Sequence, residues 1–557
     1  MKKYIVWGAG TIGKALISYL NKKSIPVECI VDGSNKKWNN DIENIKILNP
    51  EEVFKHKTSC IVVIAAGGKY ISEIKAQLKQ YGILEDDILL YYDVIKFDNT
   101  GSNMGFGVVS GYLPHSVDTV LLKSTYKDKI LEYTKDGEQE LIVHQENKKT
   151  IEQICNVIKD INSSRKIIRD ILIKSNTPKK YYLEKVSLYS YASEWSPEMF
   201  KQMCSFYADF LGMCVSHNIT LYSLSYDDII FHNGGFLYND ILNLVPGRLS
   251  FELIECFVNK FVSILLLMKS NEYDRAFLFI NNDLPNMNIK DVCGYVSDEE
   301  LDGYHVLLEK ISEYYMCSDI EKIFGCLKDY IENIQLKERD VYQWDSYQNS
   351  EFDSLMDRNK WSDKQKKVID LITQTDAKNM IDLAGNMGWY CVAMKDSMDY
   401  AVVADIDYNC IDFSYKYIRE NNISNIYPIQ INMVTPPLAT YKYTPIGYSG
   451  IEPWKKDAVS RYKSDLVVAL AIIHHLAFSQ QLSFDEIINQ VSLFSNKWLL
   501  IEFVHREDDY MLEYLKSNSQ FDWYTQANFE EALGKKFEII SRENTSTTRT
   551  AYLCRLK

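Results

Sequence analysis

The chain has 557 residues, too many for one hydrophobic core, so about two to four domains are expected. Hydrophobic residues make up 46% and charged residues 25%, which is typical of a folded protein and excludes a largely disordered one. The net charge of −14 argues against nucleic acid as the main partner, because binding a phosphate backbone requires clustered Lys and Arg. No apolar run is long enough to span a bilayer and no signal peptide is recognisable, so we expect a cytoplasmic location.

Residues 1–95 alternate strand and helix patterns, which predicts a Rossmann-like domain with a parallel sheet. Strand patterns over Lys3–Trp7 and Val27–Val31 enclose a glycine-rich turn and a helix. The turn and the end of the second strand carry the predicted nucleotide-binding residues, Gly8, Gly10, Gly13 and Asp32. Glycines let the backbone approach a pyrophosphate, and an acidic residue at this distance can bind ribose hydroxyls. NAD and a nucleotide sugar are therefore the candidate ligands.

Two interpretations of this turn stay open: a domain that binds a nucleotide ligand, and a scaffold domain without a ligand. No Tyr-x-x-x-Lys pair follows the turn, so redox chemistry is not supported in either case. The turn, together with Asp32-Gly-Ser and Lys36-Lys-Trp38, resembles the small Rossmann domains of bacterial sugar-modifying and surface-polysaccharide proteins.

Residues 96–345 have a less regular pattern. Glycines at 101–111 predict a loop or hairpin, and helical periodicity dominates from Pro197 onward. Asn233-Gly234-Gly235 interrupts it between two short apolar runs and predicts a tight hairpin. Strands are expected at Val117–Lys123 and Lys180–Tyr189, and residues 340–360 are predicted to be a polar linker.

Residues 346–557 return to strand–helix alternation, which predicts a second Rossmann-like domain. In such a sheet, ligands bind where the carboxyl ends of parallel strands meet. The expected strands are Asn379–Leu383, Tyr400–Ala404, Ile426–Ile431, Asp465–Leu470 and Lys497–Phe503.

Four successive strand ends carry groups suited to one nucleotide-like ligand. A glycine-containing loop allows close backbone approach, and the helix that follows it offers amides to a carboxylate. An acidic residue after the second strand can hold ribose hydroxyls, and an amide after the third can bind the edge of an adenine. The predicted cofactor-binding residues are Asp382, Ala384, Gly385, Asn386, Gly388, Asp405, Ile406, Asn432 and Ala469.

This arrangement resembles the class I methyltransferase fold and, more narrowly, the family that includes the NoeA-type nodulation proteins. Ala384 stands where a glycine is usual and Asn432 where an aspartate is usual. The resemblance implies S-adenosylmethionine as cofactor, transfer of its methyl group, and no metal ion in this domain. The blocks that carry it are Asp382–Gly388, Val402–Asp407, Asp465–Leu476 and Leu499–Val504.

Three residues near the last strand ends suit proton removal from a hydroxyl acceptor, and we predict them as catalytic. His474 and His475 can act as the base because an unperturbed His titrates near neutral pH. Glu502 can orient the acceptor hydroxyl. The alternatives are that the histidines pack under the cofactor or cap a helix, and that Glu502 supports other side chains. Residues 433–463 are a candidate lid or an inert insertion.

The family resemblance extends upstream, where residues 221–231 and 236–242 resemble a kinase-type catalytic loop and metal-binding loop. The position of the catalytic Asp is occupied by Ser223, and no phosphate-gripping glycine loop is evident. Asp228 and Asp240 are the candidates for a metal site. The resemblance therefore implies a degenerate kinase-like α+β domain over residues 96–345.

The sequence thus predicts a multidomain α/β protein in which a Rossmann-like domain, a kinase-like domain and a methyltransferase domain follow one another. The expected activity is methylation of an oxygen on a saccharide or surface-polysaccharide precursor, with a small-molecule or saccharide acceptor as partner. One alternative is a bifunctional methyltransferase and kinase. Another is a nucleotide-sugar-binding assembly protein whose methyltransferase domain is vestigial. The oligomeric state is not predicted.

Overall fold

The computed structural model divides the chain into two compact units, Met1–Phe106 and Gly107–Lys557, which are described separately. Predicted elements at 101–111 and 117–123 and most of the predicted linker lie outside the described residues. The domain boundaries at 95 and 345 stay predictions. The described residues are 4–22, 26–55, 61–65, 68–83, 87–90, 124–126, 129–133, 139–143, 148–173, 181–186, 188–282, 288–337, 352, 355, 357–437, 441–444, 447–451, 457–509, 511–512 and 521–557.

The first unit contains a sheet of order β3-β4-β2-β1-β5-β6 that is parallel except for the β3–β4 pair. Its strands are β1 (Tyr4–Trp7), β2 (Val27–Val31), β3 (Asp41–Ile42), β4 (Ile45–Leu48), β5 (Ile61–Ile64) and β6 (Ile88–Leu90). Its helices are α1 (Thr11–Lys22), α2 (Pro50–Phe54) and α3 (Gly68–Gln80). Alternate side chains of β1 enter separate apolar clusters, so both faces of the sheet are covered.

The second unit begins with an antiparallel sheet of order β10-β11-β9-β8-β7. Helix α4 (Lys148–Ser164) lies in the chain between β9 and β10. The strands are β7 (Ser124–Tyr126), β8 (Lys129–Tyr133), β9 (Gln139–Val143), β10 (Ile171–Ile173) and β11 (Tyr181–Leu183).

Helices dominate the next stretch, as the periodicity predicted. The predicted hairpin is confirmed, because β13 pairs with β14 and the turn residues Asn233 and Gly234 have φ of 48° and 74°. The strands of this stretch are β12 (Ile219–Leu221), β13 (Ile229–His232), β14 (Gly235–Tyr238) and β15 (Leu244–Pro246). The helices are α5 (Pro197–Ser216), α6 (Phe251–Phe257), α7 (Ser263–Lys269), α8 (Tyr273–Asn282), α9 (Asp298–Met316) and α10 (Ile320–Asn333).

A seven-stranded sheet of order β18-β17-β16-β21-β22-β24-β23 forms the C-terminal part. Strands β16, β17, β18, β21 and β22 are parallel, and β24 is antiparallel to both neighbours. The five strands predicted here are confirmed, whereas the C-terminal hairpin β23–β24 was not anticipated. The strands are β16 (Asn379–Leu383), β17 (Tyr400–Asp405), β18 (Ile426–Gln430), β19 (Tyr441–Thr444), β20 (Gly447–Ile451), β21 (Ser464–Ala469), β22 (Ser495–Val504), β23 (Phe537–Ser546) and β24 (Arg549–Leu556).

Helices flank this sheet and join its parallel strands by crossover connections. One apolar core continues from the middle region into this domain, so the two parts form a single packed body. Among the described helices, none is both long and apolar enough to cross a membrane. The helices are α11 (Asp363–Thr373), α12 (Trp389–Ala393), α13 (Tyr408–Glu420), α14 (Ala458–Tyr462), α15 (Ile473–Ser479), α16 (Phe484–Leu493) and α17 (Gln526–Lys536).

The mixed α/β fold class is confirmed. The kinase-like character of the middle region stays a prediction.

Candidate functional site

The loop after β16 has an unusual backbone. Ala384, Asn386 and Gly388 have φ of 58°, 51° and 84°, so every second residue is left-handed. This conformation is costly for a residue with a Cβ, and such strain concentrates at ligand-binding loops. The loop is closed by the Gly385 amide, which donates to the Ala404 carbonyl at 3.1 Å.

Gly388 sits where no side chain fits. A Cβ there would lie 2.6 Å from Val403 Cγ2 and 3.2 Å from the Ser414 hydroxyl. The loop therefore packs directly on β17 and α13, and this close approach requires glycine.

Asp405 ends β17 and is bonded to the same loop. Its carboxylate accepts the Asn386 amide at 2.8 Å and the Asp407 amide at 3.0 Å. Burial raises the pKa of Asp405, although these amide hydrogen bonds oppose the shift. A carboxylate offers about four acceptor positions, so these hydrogen bonds leave room for a ribose hydroxyl.

Asp382, at the start of the loop, is 2% exposed. Burial, followed by the nearby charge of Asp405, raises its pKa to about 8, while Lys364 opposes the shift. Within the described part of the chain, Asp382 Oδ2 has no hydrogen-bond partner. A buried polar atom without a partner is costly and points to a group that the protein itself does not supply.

A cavity of about 70 Å³ lies between the ends of β17 and β18, the loop after β16 and helix α15. Ile406 borders it and is 58% exposed. Asn432 also borders it and uses its side-chain oxygen to accept the Val434 amide at 3.0 Å, so its amide NH₂ is the group it can offer to a ligand. The cavity is mostly apolar, as a flat base requires. Ala469 is fully buried at the end of β21.

The two histidines begin helix α15, with ring centroids 4.1 Å apart. His474 is 3% exposed, and burial, with His475 and Arg549 nearby, lowers its pKa to about 3. Burial and Arg549 also lower the pKa of His475. Both imidazoles are therefore neutral at neutral pH. His474 Nδ1 has no hydrogen-bond partner among the described residues.

Glu502 is fully buried near the carboxyl end of β22. One of its oxygens accepts Thr545 Oγ1 at 2.6 Å and the other accepts Lys364 Nζ at 2.9 Å. Arg549 lies 4.0 Å away. These contacts favour the supporting role over direct contact with an acceptor.

Sequence reasoning missed the charged network around Glu502. Arg549 forms a two-point contact with the Asp508 carboxylate, with Nε at 3.0 Å and a terminal nitrogen at 3.4 Å. Thr548 donates to the same carboxylate at 2.7 Å. The signal was weak, because Lys364, Asp508 and Arg549 lie far apart in the chain and meet only in the folded sheet.

The middle region uses Asp228 internally. Its carboxylate is buried and accepts the Tyr207 hydroxyl at 2.5 Å and the Ser225 amide at 2.8 Å. Asp240 follows β14. Across the described residues, no cluster of three or more His, Cys, Asp or Glu side chains is arranged to hold a metal ion.

The N-terminal turn is also closely packed. A Cβ on Gly13 would lie 1.8 Å from the Gly8 carbonyl oxygen, whereas a Cβ on Gly10 would meet nothing within 4 Å. The Asp32 carboxylate accepts a hydrogen bond from the Ala9 amide at 2.7 Å. The residue predicted to bind a ribose therefore already ties this turn to the end of β2.

A family model described as C2185-like, N-terminal, matches residues 1–89. The chain is 26% identical over 183 residues to nodulation protein NoeA of Rhizobium meliloti (strain 1021), covering 32% of this chain and 36% of NoeA. The chain thus spans about a third of the length of this curated relative.

Solved structures of methyltransferases align with little more than a third of the chain. A SAM-dependent methyltransferase from Aquifex aeolicus matches at 8% identity over 35% of this chain and 89% of its own, with a TM-score of 0.24. The N-methyltransferase NodS from Bradyrhizobium japonicum WM9 matches at 10% identity over 38% and 98%, with a TM-score of 0.24. The bifunctional kinase-methyltransferase WbdD matches at 14% identity over 38% and 41%, with a TM-score of 0.24. Likeness at this level bears on neither the reaction nor the substrate.

The sheet order, the loop after β16 and the sequence match agree with one another. About a third of this chain is similar in sequence to nodulation protein NoeA, and the C-terminal sheet has the strand order of the class I methyltransferase fold.

Proposed function

We propose that the C-terminal domain binds S-adenosylmethionine and methylates an oxygen of a saccharide or surface-polysaccharide precursor. The observation that carries the cofactor assignment is the pair of carboxylates at the carboxyl ends of adjacent strands, the buried Asp382 and the half-buried Asp405, both with raised pKa. A ligand with positive charge compensates them, and the glycine-dependent loop allows it to approach closely.

The residues present fit this ligand. Asp405 would bind the ribose hydroxyls, Asn432 and Ile406 would border the base, and the partnerless Asp382 oxygen would face the positive end. When bound, S-adenosylmethionine supplies an electrophilic methyl group. The chain itself positions the acceptor and takes up its proton.

Of the two histidines, His475 suits proton uptake better. It is half-buried and neutral, whereas His474 is buried and its pKa of about 3 makes it a weak base. The saccharide acceptor is supported by the resemblance of the N-terminal domain to those of sugar-modifying proteins. That domain would bind a nucleotide sugar or NAD.

Calorimetry with S-adenosylhomocysteine tests the cofactor assignment. We expect binding in the micromolar range by the intact chain, and its loss in Asp405→Ala and Gly388→Trp. Asp396→Ala is the control, because this carboxylate is 86% exposed on the same domain. Absence of binding by the intact, folded chain would exclude a methyltransferase.

The kinase alternative is tested separately with ATP and magnesium. The internal hydrogen bonds of Asp228 disfavour metal binding there, so we expect no thermal stabilisation of the intact chain. Stabilisation that Asp240→Ala removes would instead establish a bifunctional protein.

A further inference from the structure

Helix α13 connects the cofactor site to the middle region. It begins at Tyr408, three residues after Asp405, and the middle region contacts it along one stripe. The stripe residues are spaced i, i+4, i+7 and i+11, which places them on one helical face. They are Tyr408, Asp412, Tyr415 and Arg419.

Each stripe residue has a partner in the middle region. The Tyr415 ring lies 5.9 Å from the ring of Phe231. Asp412 accepts the Glu198 amide at 3.2 Å, in the first turn of α5. Arg419 donates to the Gly234 carbonyl at 2.6 Å, at the tip of the β13–β14 hairpin.

The first stripe residue has the closest aromatic contact. The rings of Tyr408 and Phe277 are stacked with centroids 5.0 Å apart and planes within 5°. Tyr273, one turn earlier on α8, lies 5.9 Å from the same ring. All three side chains are buried, so α8 supports the start of α13 without intervening water.

A hydrogen-bonded segment joins this support to the cofactor site. Asp405 accepts the Asp407 amide, and Asp407 in turn caps α13 by accepting the Asn409 amide at 2.9 Å. Two hydrogen bonds therefore connect Asp405 to the first turn of α13, which also carries the Tyr408 ring.

We propose that the middle region is a positioning element for the methyl donor, acting through Phe277 on Tyr408 and so on Asp405. The proposal rests on the proposed function of the C-terminal domain. Phe277 does not touch the cofactor. It holds the segment in its binding geometry, which lowers the ordering cost when the cofactor binds. The methyltransferase domain then depends on the middle region for cofactor affinity as well as for stability.

The test is calorimetry with S-adenosylhomocysteine on the full chain, well below its unfolding temperature. We expect Phe277→Ala to bind about three- to tenfold more weakly, and Phe277→Tyr, which keeps the ring, to restore affinity. Leu278→Ala, a 59% exposed neighbour, should bind like the intact chain. Ile280→Ala on the same helix removes another buried side chain and should lower the unfolding temperature with little change in affinity.

Unchanged affinity in Phe277→Ala would overturn the proposal while leaving the proposed function intact. Equal weakening in Ile280→Ala would also overturn it, because general destabilisation would then explain both variants. If Phe277→Ala does not fold, Phe277→Leu, which keeps the apolar volume without the ring, takes its place. Failure of the unsubstituted chain to bind contradicts the proposed function itself.

Discussion

Two glycine-dependent turns of the chain each follow the first strand of a largely parallel sheet. The pKa of the acidic residue at the first turn is lowered, whereas the pKa of the acidic residues at the second is raised. In the N-terminal unit, burial alone would raise the pKa of Asp32, but hydrogen bonds from the Ala9 and Ser34 amides and from Lys37 lower it. In the C-terminal domain, burial dominates, and the pKa of Asp382 and of Asp405 is raised.

This difference separates a carboxylate that is paired within its own turn from one that has a buried oxygen without a hydrogen-bond partner among the described residues. The Asp32 carboxylate is neutralised by Lys37 at 3.0 Å and stabilises the turn without any bound group. The charge of Asp405 disfavours ionisation of Asp382, and the proposed cationic ligand would relieve that cost. The same local pattern of strand, glycine turn and carboxylate therefore has two different consequences.

The largest expected effect comes from adding a methyl group to the glycines. Gly13→Ala would place Cβ 1.8 Å from a backbone oxygen that cannot move away, so we expect the N-terminal unit to lose about 4 kcal/mol of stability. Gly388→Ala would place Cβ 2.6 Å from a methyl of the buried Val403, a side chain rather than backbone, and also requires a positive φ, so about 2 kcal/mol and weaker cofactor binding are expected. Hydrogen exchange of peptides from each unit measures the two losses of stability, and calorimetry measures the change in cofactor binding. Gly10→Ala is the control, and an equal loss there would contradict the packing argument.

The second prediction uses pH to distinguish the two carboxylates. The folded pKa of Asp382, about 8, lies above its unfolded value near 4. Its stabilising contribution is therefore complete below about pH 4 and is lost as pH rises towards 8. Relative to the intact chain, Asp382→Asn should gain about 3–4 kcal/mol of unfolding free energy between about pH 5 and pH 8. The unfolding free energies of the variant and the intact chain are measured at both pH values by urea titration, with hydrogen exchange of β16 peptides as the readout.

Asp32→Asn should behave in the opposite way. Because the folded pKa of Asp32 is lowered, its contribution is present above the unfolded pKa and is lost as pH falls through the folded pKa. The substitution should cost about 1 kcal/mol at neutral pH and nothing in strong acid. Equal pH profiles for the two variants would remove the contrast between the turns.

The smallest effect concerns Ala384, which adopts φ of 58° where glycine is favoured. Ala384→Gly should stabilise the domain by about 0.5–1 kcal/mol, because it relieves the left-handed strain. Ala532→Gly in the interior of α17 should cost about as much. Thermal unfolding compares the two, and a loss of stability in Ala384→Gly would mean that its Cβ has a packing role.

Local patterns predicted much of the fold and part of the candidate site. The strands Val27–Val31 and Asn379–Leu383 and the turn at Asn233-Gly234 follow from short-range chemistry, namely side-chain alternation, apolar runs and residues that tolerate positive φ. The succession of polar groups at strand ends was visible for the same reason. The C-terminal hairpin β23–β24 was missed, because its exposed residues interrupt the alternation.

The sequence by itself determined where the strands end and which side chains stand at those ends. Only the tertiary structure decided how each side chain is used, because pairing and burial depend on residues that are distant in the chain. Glu502 accepts a hydrogen bond from Lys364, 138 positions away in the chain. The buried Glu194 accepts one from Arg461 at 2.8 Å, 267 positions away. The contact between Phe277 of the middle region and Tyr408 of the C-terminal domain has the same origin. Packing between distant elements leaves no periodic signal in the sequence.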